Sequence, residues 1–442
     1  MQPTLFPPSL RATAVALALA LPGGLTWAVQ HTAPRLAAAA AATAALPAVD
    51  DLPRPSLPQT AAVEQWLPDA PALRDAQAMR QAAQDNGAAL RAGSNGLTAQ
   101  AQVQQRRIDA PPDSGRFTEW QLLVNRQLRL PAQQQADSRL ADALEQSAQA
   151  TLALARQQTL AQLFTAWFAA QRAQAEAQLA QQDLDLIDAQ VKALQRRQTL
   201  GDASVLEVQQ MQAERARAQT ALTLAQGLAA SSRAALFARY PTLAQDDGLR
   251  GQADATALAL PAWSAAQWLE QVTAANPLLA EQRAALQKAQ ALAAQAHAAR
   301  TPQPTVGAYL GSERGGNERI VGVQVAVPFG TAARAAQERA ALAEVDAAQW
   351  RLREQQSVVE ADVQRLLAQA KAQAAAVDAA EDAARLQTQS AARVLRAYQL
   401  GEAGLSEWLL ARRGAVEAMR LALQTRYEAA ATAALLRLQA GL

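Results

Sequence analysis

Few side chains in this chain could carry out chemistry, and the arrangements that would need them are missing. None of the 442 residues is cysteine, which excludes disulfides, thiolate metal sites, cysteine nucleophiles and lipid attachment through an N-terminal cysteine. The two histidines, His31 and His297, lie far apart in sequence. No HExxH, P-loop or GxSxG pattern occurs, and Gly315-Gly316 falls in an expected loop without matching a phosphate-binding motif. No set of nucleophile, base and orienting group can be assembled, so neither an enzyme nor a cofactor or metal site is expected. What recurs at fixed spacing is acidic: Asp202 and Glu207 follow Gly201, and Glu402 and Glu407 follow Gly401. Taken alone, a glutamate so placed is a solvated first-turn residue favoured by the helix dipole.

The repetition says more than the carboxylates do. Residues 196–208 read RRQTLGDASVLEV and residues 396–408 read RAYQLGEAGLSEW. Arg196/Arg396, Leu200/Leu400, Gly201/Gly401, Ala203/Ala403 and Glu207/Glu407 are identical pairs. Each turn lies between long Ala- and Gln-rich runs, so the chain is a duplicated unit built around a helical hairpin. Composition agrees. Hydrophobic residues make up 50% of the chain but aromatics only 4%, and alanine suits helices packed at close range more than a bulky core. The 41 basic residues nearly balance 39 acidic ones and are scattered, which reads as a solvated helical surface with no nucleic-acid partner.

The elements that must carry these turns follow in order. Arg11, the apolar run 12–21, the Pro22-Gly23-Gly24 break and Thr26-Trp27-Ala28 make residues 1–28 a signal peptide, with cleavage expected after Ala28. Residues 29–60 are Ala- and Pro-rich and read as a flexible leader. No later apolar run reaches the roughly 18 residues of a membrane helix, so a membrane crossing would have to use strands. The first structural repeat is placed at 61–255 and the second at 256–442.

Strand patterning is expected at about 96–108 and 116–130, where Leu97, Ala99, Ala101 and Val103 alternate with Gln100, Gln102, Gln104 and Arg106. The return strand sets Trp120, Leu122 and Val124 against Asn125 and Gln127, with Arg126 an exception on the apolar side. In the second repeat strands are expected at about 305–311 and 318–327, where Val321, Val323, Val325 and Val327 oppose Gln324. The helical spans are placed at about 132–200 and 203–239, and at about 331–400 and 403–440. The longer ones, at 1.5 Å per residue, reach roughly 100 Å. Leu184, Ile187, Val191 and Leu194 form a coiled-coil seam. Leu160, Leu163, Phe164, Trp167 and Phe168 form a wider stripe, expected near the membrane end or at a subunit contact. Four strands with one polar face cannot close a barrel, and an open edge in lipid is unsatisfied. Several copies pooling their strands would close it, with Gln and Arg inside and Val, Leu and Trp toward lipid.

The duplicated hairpin-plus-long-helix unit, the VGVQVAVPFGTAARAA segment at 321–336 and the paired LGDAS and LGEAG turns resemble the TolC-like outer-membrane efflux proteins over about residues 61–442. That resemblance implies a mainly α fold with a small β part, as a homotrimer. Its twelve strands would form a barrel in the lipid of a Gram-negative outer membrane, above an α-barrel in the periplasm. It implies a passive exit duct working with a periplasmic adaptor and an inner-membrane pump. Leu200, Gly201, Asp202, Ala203 and Ser204, with Leu400, Gly401, Glu402, Ala403 and Gly404, become adaptor-docking tips; Glu407 and Glu207 become candidates for the periplasmic entrance. Three Glu407 carboxylates around a pore would repel one another and attract cations. A basic residue that some members carry two positions after the second glycine is Ala403 here, which removes that route to a closed tip. The lumen face would comprise Gln100, Gln102, Gln104, Arg106, Asn125, Gln127 and Gln324. The competing reading is a periplasmic coiled-coil structural or adaptor protein without a membrane barrel.

Overall fold

The computed structural model describes residues 46–442 except 94–95, 110, 113, 245–248, 250–257 and 331. The expected signal peptide, most of the expected leader and the boundary near residue 255 lie outside the described residues. Two repeats follow one another, and their longer helices match in length. In the first, α1 (Thr60–Trp66) leads into α2 (Pro71–Ala92, 22 residues), strands β1 (Leu97–Ile108) and β2 (Gly115–Gln127), then α3 (Pro131–Thr199, 69 residues) and α4 (Val205–Arg239, 35 residues). In the second, α5 (Ala265–Ala275) leads into α6 (Pro277–Ala298, 22 residues), β3 (Thr305–Glu313), β4 (Glu318–Ala326), α7 (Ala332–Leu400, 69 residues) and α8 (Leu405–Gln439, 35 residues). Proline opens α2, α3 and α6 at a position where its missing N–H costs nothing. No proline interrupts α3 or α7, so each runs for roughly 100 Å.

The strands form one antiparallel sheet in the order β1-β2-β3-β4, joined through β2 and β3 across the two repeats. Register is unbroken: Leu97 pairs with Arg126, Gln127 with Thr305, and Thr305 with Ala326. One edge of β1 and one edge of β4 remain open. β2 ends three residues before the expected Leu130, since Pro131 begins α3 and the Leu128 N–H bonds instead to the Pro304 carbonyl.

A departure from the sequence reading lies at the start of the described chain. Residues 46–60 are not a flexible leader: they pack midway along the helices. Trp167 Nε1 donates to the Ser56 carbonyl at 2.6 Å, and the Gln171 amide donates to Ser56 Oγ and to the Leu249 carbonyl while accepting from Ser56 N–H. Arg426 donates to the carbonyls of Leu52 and Pro53 and pairs with Glu381 at 2.7 Å. Prolines and alanines leave few side chains to signal order, but the backbone carbonyls of this segment meet buried donors. Of the Leu160, Leu163, Phe164, Trp167 and Phe168 stripe, Leu163, Trp167 and Phe168 are buried within the single chain, with Leu160 and Phe164 partly buried against them. They form the core beneath that belt, together with Trp66, Tyr240 and Leu423. Burial of each such side chain stabilises by about 1.5–3 kcal/mol.

Candidate functional site

The candidate site residues lie at two ends of the molecule. At one end the two interhelical turns share one geometry. Gly201 takes φ +86° and Gly401 φ +79°; Asp202 N–H donates to the Arg197 carbonyl at 2.8 Å, and Glu402 N–H to the Ala397 carbonyl at 2.9 Å. This is the glycine-ended helix cap, in which the left-handed residue lets two amides satisfy the last carbonyls. No atom lies within 4 Å of a side chain built at either glycine, so backbone conformation and not space demands glycine there.

After the turn the copies diverge. Ser204 caps α4 through a reciprocal box: its Oγ accepts from Glu207 N–H at 3.1 Å, while the Glu207 carboxylate accepts from Ser204 N–H at 2.8 Å and from its hydroxyl. The hydrogen bond from the Ser204 backbone, followed by that from its side chain, holds the Glu207 carboxyl below its ordinary value. Gly404 offers no such side chain, and Glu407 stands exposed. The sequence reading names both glutamates for the entrance and expects the second copy's Glu407 at the pore; in the structure Glu207 is engaged by its helix cap, and Gly404 gives Glu407 no such cap. Ser204→Ala should therefore cost about 1 kcal/mol at the first tip. Amide exchange across residues 204–208 should speed up several-fold, with residues 404–408 serving as the unchanged internal control.

The tips are joined into one unit. Tyr398 stacks on Trp408 with centroids 6.0 Å apart, and the Arg197 guanidinium lies 5.9 Å from the Tyr398 ring. Ala203 and Ala403 are half-buried against the same core, whereas Leu200 is 70% exposed, and Val205, Leu206 and Leu400 are exposed beside it. Asp202, Ser204, Glu402 and Gly404 are exposed as well.

Further along the helices lies a buried ionic cluster. Arg412 on α8 pairs with Asp183 on α3 and, at 3.0 Å, with Glu214 on α4; Arg413 and Arg217 also contact Glu214. All of Arg412, Asp183 and Glu214 are buried. Burial would push the Glu214 carboxyl upward, but Arg413, Arg412 and Arg217 outweigh it and the net displacement is downward. The repeat-equivalent positions of Asp183, Arg412 and Glu214 are Ala383, Gln212 and Gly414, so the cluster exists once per chain.

At the other end, the sheet has two faces of opposite character. Register places Gln100, Gln102, Gln104 and Arg106 with Asn125, Gln121, Glu119, Glu313 and Gln324. By the same alternation, Gln127 shares this side. Gly322 carries no side chain here because the Tyr309 ring lies across it, 2.5 Å from where a Cβ would stand. The opposite face carries Leu97, Val103, Trp120, Leu122, Val124, Leu310, Val321, Val323 and Val325, all exposed in the single chain, Val321 at 85%. Arg126 shares that side, as expected.

Glu119 is a residue the sequence reading did not single out. It is 2% exposed, accepting from Gln104 at 2.8 Å and pairing with Arg106 at 3.2 Å, and Arg106 also reaches Glu313 at 3.5 Å. Its place in a polar alternation was visible, but its burial follows from the β3–β4 turn closing over it. Among the described residues, no three His, Asp or Glu side chains converge to hold a metal, and no helix is long and apolar enough to cross a membrane.

Solved structures with this fold include outer-membrane channels. The chain superimposes on VceC of Vibrio cholerae with a TM-score of 0.70 at 18% identity, covering 86% of this chain and 95% of that one. For the outer-membrane channel OprN the TM-score is 0.72 at 18% identity, with 91% and 95% covered. For the CmeC channel of Campylobacter jejuni it is 0.71 at 14% identity, with 86% and 85% covered. In sequence, 209 residues are 29% identical to the cobalt-zinc-cadmium resistance protein CzcC of Cupriavidus metallidurans, 47% of this chain and 49% of that protein. The chain thus matches about half the length of that curated relative. No protein-family profile matches the chain.

Proposed function

We propose that this chain, whose fold is that of the TolC-like outer-membrane channels, is the passive exit duct of a tripartite export system. The observation that carries the proposal is the sheet: one polar face, one apolar face and two open edges, mounted on helices about 100 Å long. Open edges are untenable in lipid, and pooling three copies of a four-stranded sheet yields a closed barrel of twelve strands. The polar face then lines the lumen with Gln100, Gln102, Gln104, Arg106, Asn125, Gln127 and Gln324, and the long helices enter the periplasm. A duct of this kind moves its cargo without chemistry.

At the periplasmic end, the exposed leucines and the paired turns form a surface for an adaptor protein that connects to an inner-membrane pump. The docking residues are Leu200, Gly201, Asp202, Ala203 and Ser204 with Leu400, Gly401, Glu402, Ala403 and Gly404. With Glu207 engaged by its cap, Glu407 is the carboxylate available to a pore entrance. Three symmetry copies of it would attract cations. Glu407→Gln should accordingly relieve block of single-channel current by divalent cations about tenfold, an expectation scaled to the loss of roughly one charge interaction per copy. Block indistinguishable from that of the native channel would remove Glu407 from the entrance.

For the cargo, the matched half of a cobalt-zinc-cadmium resistance protein favours divalent transition-metal cations. Deleting the gene should lower tolerance to cobalt, zinc or cadmium, and the native chain should restore it. If tolerance to all three is untouched while another class of toxic solute accumulates, the duct reading stands and the cargo is different.

A further inference from the structure

The outward face of the sheet changes character at the end remote from the helices. There the alternation that carries Trp120, Leu122 and Val321 continues to Arg107 on β1, Arg116 on β2 and Arg319 on β4. Arg107 and Arg116 are register partners, so their Cβ atoms stand about 5 Å apart on one face, an opposition that like charges disfavour. All three are exposed. Arg107 pairs with Asp109 at 2.8 Å, whereas Arg116 and Arg319 form no ion pair among the described residues. Among the described residues, the one carboxylate that pairs with these three guanidinium groups is that of Asp109.

These arginines are not lumen groups. Arg106, one position before Arg107, points to the opposite side, where Glu119 and Glu313 neutralise it. The outward arginines continue the same surface as the apolar band, so whatever meets the valines meets them at its polar margin. Guanidinium forks match phosphate oxygens in paired hydrogen bonds. We propose that Arg107, Arg116 and Arg319 bind the phosphate groups of an anionic glycolipid in the outer leaflet. The inference rests on the barrel reading above and adds a partner to it. A bound phosphate between Arg107 and Arg116 also removes the repulsion that their register imposes.

The test uses the full-length protein reconstituted in phosphatidylcholine vesicles with a small fraction of bis-phosphorylated lipid A. A second vesicle set contains dephosphorylated lipid A, and a third contains inorganic phosphate in the buffer and no lipid A. The native protein should recover with about tenfold more phosphorylated lipid A than the triple variant Arg107→Gln, Arg116→Gln, Arg319→Gln, the scale expected when several basic residues lose an anionic surface. A triple Lys variant should keep most of the enrichment, and neither dephosphorylated lipid nor free phosphate should protect the protein against heat. Equal enrichment of native and Gln variants, or equal protection by the dephosphorylated lipid, would overturn the proposal. Failure of the native protein to insert into any vesicle would overturn the barrel reading itself, and this surface with it.

Discussion

Replacing Arg412 with methionine is expected to destabilise the protein by about 3–5 kcal/mol, the scale for removing one partner from a buried ionic group. Asp183 would lose its guanidinium partner, and Glu214 would retain only the more exposed Arg413 and Arg217. Because the cluster ties α3 and α4 of the first hairpin to α8 of the second, the damage should appear first as loosening between the hairpins. Limited proteolysis around residues 195–215 and 395–415 should accelerate well before the sheet end melts. Arg412→Met combined with Asp183→Leu should cost less than the two single changes summed, since the double variant leaves fewer buried charges uncompensated. Proteolysis and unfolding unchanged in the single variant would show that the cluster does not hold the hairpins together.

The same cluster gives a pH dependence of defined sign. Glu214 titrates below its unfolded value of 4.5. Its contribution is therefore complete above that value and is lost as pH falls through the lower folded value. The native tip should loosen only in this acid range, and Glu214→Gln should flatten the dependence while lowering stability at neutral pH.

The second large effect concerns the apolar face. Val323 is 84% exposed in the single chain, in the middle of the valine row of β4. Val323→Arg should cost about 2–4 kcal/mol per copy if that face meets the bilayer midplane. Gln100→Arg places the same charge on the polar face and should be close to neutral. Recovery of heat-modifiable oligomer from outer-membrane fractions would separate the two, with the first variant strongly depleted and the second normal. Equal recovery of both would contradict the assignment of faces.

Much of this architecture was legible because it follows from local periodicity. Val321, Val323 and Val325 alternate with Gly322 and Gln324, and a period of two is a strand signal whichever chains it joins. The long helices were readable because nothing between Pro131 and Gly201 breaks them, and the paired turns gave the duplication. What escaped is non-local. The order of residues 46–57 depends on Trp167 and Gln171, more than 110 positions away. The Arg412 cluster joins residues 198 and 229 positions apart, and no local pattern marks it. The inequality of the tips lay between these cases. Ser204-x-x-Glu207 is a capping box readable from sequence, Gly404-x-x-Glu407 is not, and that single difference separates a structural glutamate from a candidate gate.

In the proposed duct, three copies close one water-filled barrel above a helical tunnel. Planar-bilayer recording of the purified, detergent-extracted protein, with its native mass measured on the same sample, tests this most directly. The expected result is a trimer that inserts and gives discrete, long-lived conductance steps. A monomer that remains in the soluble periplasmic fraction and never conducts would contradict it, and would favour a periplasmic coiled-coil scaffold instead.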